Sequence, residues 1–334
     1  MKIAVDAMGG DLAPEEIVKG VAACIKDFDG EIFLVGEKSK IEFFLRKYDA
    51  ANSEKIKVVE ASETITNEDQ PVKAIKTKKD SSMVKGIRML KKREVDAFLS
   101  AGNTGAFMAG ALLLAGRIQG IDRPALAVVI PTRRGATLML DVGANMNSKP
   151  TNLVQFAIMG SVYSNKVLGI KNPKVGLLNV GEESQKGNIL TKETYKLLQN
   201  NETLNFWGNI EGRNILDGKV DVLVCDGFIG NIVLKTIEGF AINFFDLLKN
   251  EIMSSISTKI GGMLLKPSLK KLKGKLDYTE YGGAPFLGID GICIKCHGSS
   301  NAKAISNAIL KTELFIKNNV NTEIFQEIQK KGEN

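Results

Sequence analysis

The chain has 334 residues, 44% of them apolar and 25% charged, with a formal net charge of +7 and a pI near 9.0. These are ordinary globular proportions, which exclude disordered, collagen-like and low-complexity classes, and at about 150 residues per domain the length suits two domains or one large α/β domain. The single histidine, His297, excludes any mechanism that needs two, and Cys24, Cys225, Cys293 and Cys296, all in apolar settings, read as packed thiols rather than a disulfide framework.

The first strand pattern covers residues 2–6, with no apolar leader ahead of it, which points to a cytoplasmic protein. Asp6-Ala-Met-Gly-Gly-Asp11 follows, and Pro14-Glu15-Glu16 then opens a helix with an apolar face of Ile17, Val18, Val21, Ala22 and Ile25. Strand patterns recur at 31–35, 56–60 and 95–100, and between Lys73 and Arg93 stand nine basic residues and one acid, Asp80. Ser100-Ala-Gly-Asn-Thr-Gly-Ala106 leads into a helix over 104–115. Its apolar part, 106–116, is the longest mostly apolar stretch, and it is shorter than the roughly 18 residues of a membrane span.

Strands follow at 126–130 and 137–141, the second ending in Asp141-Val-Gly-Ala-Asn145. A helix over 153–168 precedes a strand at 174–179 that ends in Asn179-Val-Gly-Glu-Glu183. The strand at 220–226 ends in Asp226-Gly-Phe-Ile-Gly-Asn231, with a helix over 231–249. From Ile252 to Leu276, apolar residues fall near helical spacing, six lysines stand between Lys259 and Lys275, and Gly261-Gly262 and Pro267 predict a helix in pieces. A last strand, 292–295, runs through Cys296 into His297-Gly-Ser-Ser-Asn301 and a helix over 301–316.

Repeated β-α alternation without internal repeat or linker predicts one α/β architecture, a mostly parallel sheet with helices on both faces. Five strand patterns end in Gly-rich turns that carry Asp or Asn. Because the carboxyl ends of parallel strands form the ligand crevice, these turns predict a cleft along one edge. Asn103-Thr104-Gly105 and Gly230-Asn231 stand where helices are expected to begin, and free N–H groups there suit phosphate or carboxylate. Asn103, Thr104 and Asn231 either touch such an anion or only cap a helix, and both readings stay open. Lys186 is the cation nearest a strand-end turn, able to neutralise an anion or to sit solvated. His297 either serves a substrate or is a structural histidine. No dinucleotide fingerprint, P-loop or nucleophile elbow occurs. Cys293-Ile-Lys-Cys296-His297 matches the haem-attachment string, but its apolar strand setting reads as packed thiols. The lysine-lined segment reads as an arm that lies on an anionic membrane or packs on a partner subunit.

Taken together, the five turns, Gly176-Leu-Leu-Asn-Val-Gly-Glu-Glu183, Tyr281-Gly-Gly-Ala-Pro-Phe-Leu-Gly288 and His297-Gly-Ser-Ser-Asn-Ala-Lys-Ala304 resemble the bacterial phosphate acyltransferase family of phospholipid synthesis, the PlsX family. The resemblance covers nearly the whole chain. Departures are Ile229 for a usual Thr, Asn214 for a common Asp and Cys296 for a common small residue.

The resemblance implies a Rossmann-like three-layer α/β/α fold, similar to phosphate acetyltransferases and the isocitrate dehydrogenase group. It implies one domain over 1–334 with a basic helical arm at about 246–276, and a homodimer. The implied reaction joins acyl-ACP and inorganic phosphate to give acyl-phosphate and ACP, without metal or other cofactor. The product then passes to a membrane glycerol-3-phosphate acyltransferase, which implies a cytoplasmic enzyme held peripherally at the inner face of the cell membrane.

On this reading Lys186, Asp226 and Asn231 are the catalytic candidates, and Asp6, Gly9, Gly10, Asn103, Thr104, Gly105, Asp141, Asn145, Gly230, His297 and Ser299 the substrate-binding ones. The alternatives are a non-catalytic membrane-associated scaffold and a β-decarboxylating dehydrogenase. Nucleic-acid binding ranks last, because aromatics are few and no motif for it is present.

Overall fold

Short runs rich in Val, Ile, Leu and Phe form strands in this chain because helices cover both of their faces, so neither face needs to be polar. The computed structural model describes residues 1–276 and 282–332; Tyr281 lies outside the described residues, as do the side chains of Lys275 and Leu276. The first half contains β1 (Lys2–Asp6), α1 (Glu15–Cys24), β2 (Glu31–Gly36), α2 (Lys38–Lys47), β3 (Ile56–Glu60), α3 (Pro71–Thr77), α4 (Ser82–Lys91), β4 (Ala97–Ser100) and α5 (Thr104–Gly110), which continues as a π turn over Ala111–Ala115. Next come β5 (Ala125–Thr132), β6 (Gly135–Leu140), α6 (Pro150–Lys166), β7 (Lys174–Asn179), α7 (Ile189–Gln199), β8 (Asn205–Glu211) and β9 (Val222–Val224). The chain ends with α8 (Gly227–Ile252), α9 (Ile256–Leu276), β10 (Ala284–Leu287), β11 (Ile292–Lys295), α10 (Ala302–Lys317) and α11 (Val320–Gly332).

The eleven strands form one sheet in the order β3-β2-β1-β4-β11-β10-β5-β6-β9-β7-β8. Neighbours are parallel except along β11-β10-β5-β6, where three successive pairings are antiparallel. This reversal corrects the expectation that the five Gly-rich turns share one edge. β1 and β4 end on one edge with β11, whereas β6, β9 and β7 run the other way and end on the opposite edge. The short β10 bridges the two sets: Ala284 is level with Lys295 at one end, and Leu287 is level with Ala125 at the other. The end of β6, Leu140, is level with Ala127 of β5, one residue along from the level of Ala284 and Lys295, so the two sets of strand ends point opposite ways but meet within roughly 3 Å along the strand direction.

One face of the sheet packs against α1, α6, α10 and α11 through Val18, Phe156, Ile305 and Ile324. The other packs against α3, α4 and α5 through Ile75, Ile87 and Phe107. The arrangement is therefore three-layered, α/β/α. On the second face the rings of Phe98, Phe107 and Phe286 meet edge to face, with centroids 5.2 and 5.1 Å apart.

Several elements depart from the sequence expectation. β8 and β10 were not expected as strands. β8 is an edge strand interrupted by Gly208, and β10 contains Pro285, so both carry residues that ordinarily weaken a strand pattern. α8 begins at Gly227, four residues before the expected start, because the Asp226 carboxylate accepts from the N–H groups of Phe228 and Ile229 at 3.1 Å. Asn231 is thus in the second turn and not at the cap.

α9 runs unbroken through Gly261, Gly262 and Pro267. Proline there releases the Met263 carbonyl from the helix ladder, and in this exposed helix water can take it up. An 18-residue window of α8 also reaches a mean hydropathy of 1.3, so this helix, rather than 106–116, is long and apolar enough for a span by length and composition. Only Gly227 and Gly230 of α8 are buried. Phe240, Leu247, Ile256 and Leu264 stand out along α8 and α9 at 68%, 69%, 79% and 80% exposure.

Phe98 is fully buried at one end of the aromatic trio, against Phe107. Phe98→Ala is expected to lower stability by about 3–5 kcal/mol, seen as a lower urea midpoint with unchanged slope.

Candidate functional site

Alternate side chains of β5 and β10 point at α5 and α8, and between them lies a cavity of about 680 Å³. Leu126 and Val128 of β5 and Ala284 and Phe286 of β10 form its floor. Met108 and Leu112 wall it on the α5 side, and Leu234 on the α8 side. Polar groups gather where the strands end. Thr104 follows β4; Lys295, His297 and Ser300 lie at and after the end of β11; Asn231 comes from α8, beside Gly143 of the β6 turn. The cavity therefore draws on both edges of the sheet, joined across β10.

Four of the residues expected from sequence, Thr104, Gly105, Asn231 and His297, line this cavity. Desolvation, then the neighbouring Lys235, hold the His297 imidazole below its ordinary range. The Ser299 N–H donates to His297 Nδ1 at 3.2 Å, and the Ser299 hydroxyl lies 2.8 Å from the same nitrogen. In the neutral ring this places the proton on Nε2.

Other expected residues build the walls without lining the space. Asp141 is fully buried and accepts from the backbone N–H groups of Leu126, Gly143, Ala144 and Asn145 at 2.7–3.2 Å. It also accepts from the Asn145 side-chain amide at 2.9 Å, and that amide donates as well to the Pro124 carbonyl at 2.7 Å. Burial pushes the Asp141 carboxyl up, and these donors pull it back towards ionisation. Gly230 lies so close to the Asp141 carbonyl that a Cβ would stand 1.8 Å from its oxygen.

Asp6 is likewise buried. It accepts from the Ser100 hydroxyl at 2.7 Å and the Met8 N–H at 3.1 Å, and burial pushes its carboxyl up against them. A Cβ on Gly9 would fall 2.4 Å from the Asp6 carboxylate, and Gly10, at φ 108°, lies against Ala101 and Gly298. Asn103 caps α5, its side-chain oxygen accepting from the Ala106 N–H at 2.9 Å, while its amide donates to the Thr66 and Asn67 carbonyls.

Asp226 and Lys186 do not line the cavity. Asp226 is engaged as the α8 cap. Lys186 is exposed on the loop after β7, and its aliphatic stem folds over Gly181.

Three charged wall residues were not anticipated. Lys235 and Glu238, one turn apart on α8, pair at 2.7 Å. Lys295 is 7% exposed, and its ammonium donates to the carbonyls of Ala101, at 3.3 Å, and Cys296. Its only sequence signal is a lone charge closing an otherwise apolar strand. The four cysteines are free and buried, as packed thiols should be, and burial pushes Cys24 to about 11 and Cys296 to about 12.

A family model described as "Fatty acid synthesis protein" matches residues 1–323. A phosphate acyltransferase of Thermoanaerobacterium thermosaccharolyticum is 54% identical over 333 residues, which cover 100% of this chain and 98% of that protein. One from Clostridium novyi is 52% identical, over 99% of both chains. Among solved structures, a phosphotransacetylase from Streptococcus pyogenes superposes with a TM-score of 0.64 at 16% identity, over 95% of this chain and 94% of that one. The EutD phosphotransacetylase of Staphylococcus aureus gives 0.61 at 16% identity, over the same shares. At that identity the likeness concerns the fold.

Gly230→Ala tests the joint between α8 and the Asp141 loop. The added methyl meets backbone, which cannot swing aside, so α8 and Asn231 must shift. The expected outcome is a melting temperature lower by several degrees, from about 1–3 kcal/mol of overpacking, together with loss of most turnover.

Proposed function

The chain belongs to the fatty acid synthesis protein family, whose curated relatives are phosphate acyltransferases, and on that premise we propose that it transfers the acyl group of an acyl carrier protein thioester to inorganic phosphate. The observation that carries this reading is the cavity: apolar along β5, β10 and α5, polar where the strands end, and of a size usual for small-molecule sites. An acyl chain suits the apolar floor, and its thioester then reaches the polar groups.

An oxygen of hydrogen phosphate attacks the thioester carbonyl, the C–S bond breaks, and the proton that the phosphate carried ends on the carrier thiol. Phosphate is itself the nucleophile, so no seryl or cysteinyl nucleophile is needed and the buried thiols stay outside the chemistry. The Asn231 amide and the Nε2–H of His297 are the donors for the oxyanion that develops. Asp226 acts through α8, whose first turn it caps, and so holds Asn231 in place. Lys186 meets incoming phosphate from outside the cavity. Asp141, Asn145 and Gly230 on one edge, and Asp6, Gly9, Gly10 and Asn103 on the other, keep the two walls in register.

In this proposal the enzyme works as a homodimer at the inner face of the cell membrane, where a glycerol-3-phosphate acyltransferase consumes the product. Within the basic stretch from Lys73 to Arg93, Lys78, Lys85 and Arg93 are already paired with Asp69, Asp80 and Asp290. Long-range attraction of an acidic carrier or an anionic membrane therefore falls more to the α9 lysines, such as Lys259, Lys266 and Lys270, which are exposed beside apolar side chains.

The deciding experiment is mass spectrometry of purified protein with palmitoyl-ACP and phosphate. Acyl-phosphate and free ACP should appear only when phosphate is present, and Asn231→Ala and Lys186→Ala should each lose most of this turnover. Folded protein that releases no ACP from any of several acyl-ACPs would move the reading to a non-catalytic scaffold. Replacing Lys259, Lys266 and Lys270 with Gln should reduce co-sedimentation with anionic liposomes, at roughly 1 kcal/mol per lysine. Unchanged sedimentation would leave the arm to the partner subunit.

A further inference from the structure

Two cations line the cavity among the described residues, and they differ in kind. Lys235 is more than half exposed and already paired with Glu238. Lys295 is buried and forms no ion pair among the described residues; its partners are two backbone carbonyls, Ala101 and Cys296. An ammonium has three N–H donors, so one is left for whatever enters the cavity. Taking an ammonium out of water costs several kcal/mol, which two neutral carbonyls offset only in part. A sheet that needed only packing at this position would favour an apolar side chain. The backbone around Lys295 is firmly set: β11 lies between β4 and β10, with Lys295 level with Ser100 on one side and Ala284 on the other.

We propose that the Lys295 ammonium is the cation that seats the phosphate nucleophile at the inner, β11 end of the cavity. This rests on the acyltransfer reading above and assigns to Lys295 the anion contact that Lys186, outside the cavity, does not supply there. A phosphate oxygen takes the third N–H of Lys295, and Thr104, His297 and Ser300 stand along the same wall.

The charge state of Lys295 gives a readout that a purely structural lysine lacks. Burial lowers it to about 8. Asp6, across from it on β1, and Asp11, in the loop after β1, favour its charge, while Lys235 on α8 opposes it. His297 carries little charge to add at neutral pH, and the Cys296 thiol stays protonated at up to about 12. Lys295 is thus charged below about pH 8 and loses its charge above.

Lys295→Met keeps an unbranched, flexible side chain one atom shorter and removes its charge. The expected result is a folded protein whose phosphate KM rises at least about tenfold, with the acyl-ACP KM nearly unchanged. In the wild type kcat/KM for phosphate should fall as pH rises through about 8, and Lys295→Met should flatten that profile. A variant with wild-type phosphate KM overturns the proposal, as does one with only a lower melting temperature. If Lys295→Met does not fold, the wild-type profile decides, and a flat profile through pH 8 overturns the proposal. If the wild type shows no acyl transfer, the functional reading fails by itself. The Lys295 contact is then judged by whether inorganic phosphate raises the melting temperature of the wild type but not of Lys295→Met; equal effects overturn it.

Discussion

The site depends on one buried carboxylate. Asp141 gathers five N–H donors from three places: the start of β5, the turn after β6 and the Asn145 side chain. Its backbone extends the joint, since its N–H donates to the Cys225 carbonyl and the Gly227 N–H donates to the Asn145 carbonyl. A carboxylate so enclosed holds its surroundings rigid, because any donor that leaves exposes a buried charge. Gly227 and Gly230 then let the first turn of α8 lie directly on this loop, and the placement of Asn231, Leu234, Lys235 and Glu238 over the cavity follows.

The second constraint is the change of direction at the centre of the sheet. A uniformly parallel sheet would line up all its strand ends and leave a crevice along one edge. Here β10 and β5 run antiparallel to their neighbours, so the two groups of strand ends face opposite ways. The floor of the cavity is then the face of β10 and β5 themselves, an apolar surface with polar groups at both ends. That division suits a ligand with a long apolar part and a polar reacting centre.

Much of this was legible from residue patterns. Nine strand patterns, the alternation with helices and the Gly-rich turns each correspond to an element or loop of the sheet, and Thr104, Gly105, Asn231 and His297 line the cavity as wall residues. What escaped the sequence did so for physical reasons. β10 is four residues long and holds a proline, so it lacks a strand signature, yet it joins the two halves of the sheet. The start of α8 was misplaced because Asp226 and Asn231 are both good caps, and only the fold selects between them. The burial of Lys295 has no local signature, since a charged residue next to a turn is ordinarily exposed. The position of Lys186 relative to the cavity depends on the path of a loop that no local pattern specifies.

The packed cysteines have a practical consequence. Cys24, Cys225, Cys293 and Cys296 are all buried, and burial pushes each thiol above its ordinary range, so little thiolate forms at neutral pH. The folded surface is chemically quiet towards maleimides and other thiol reagents. A cysteine introduced at one exposed position, on α9 or at the mouth of the cavity, would carry a fluorophore or spin label alone, with no background from the native chain.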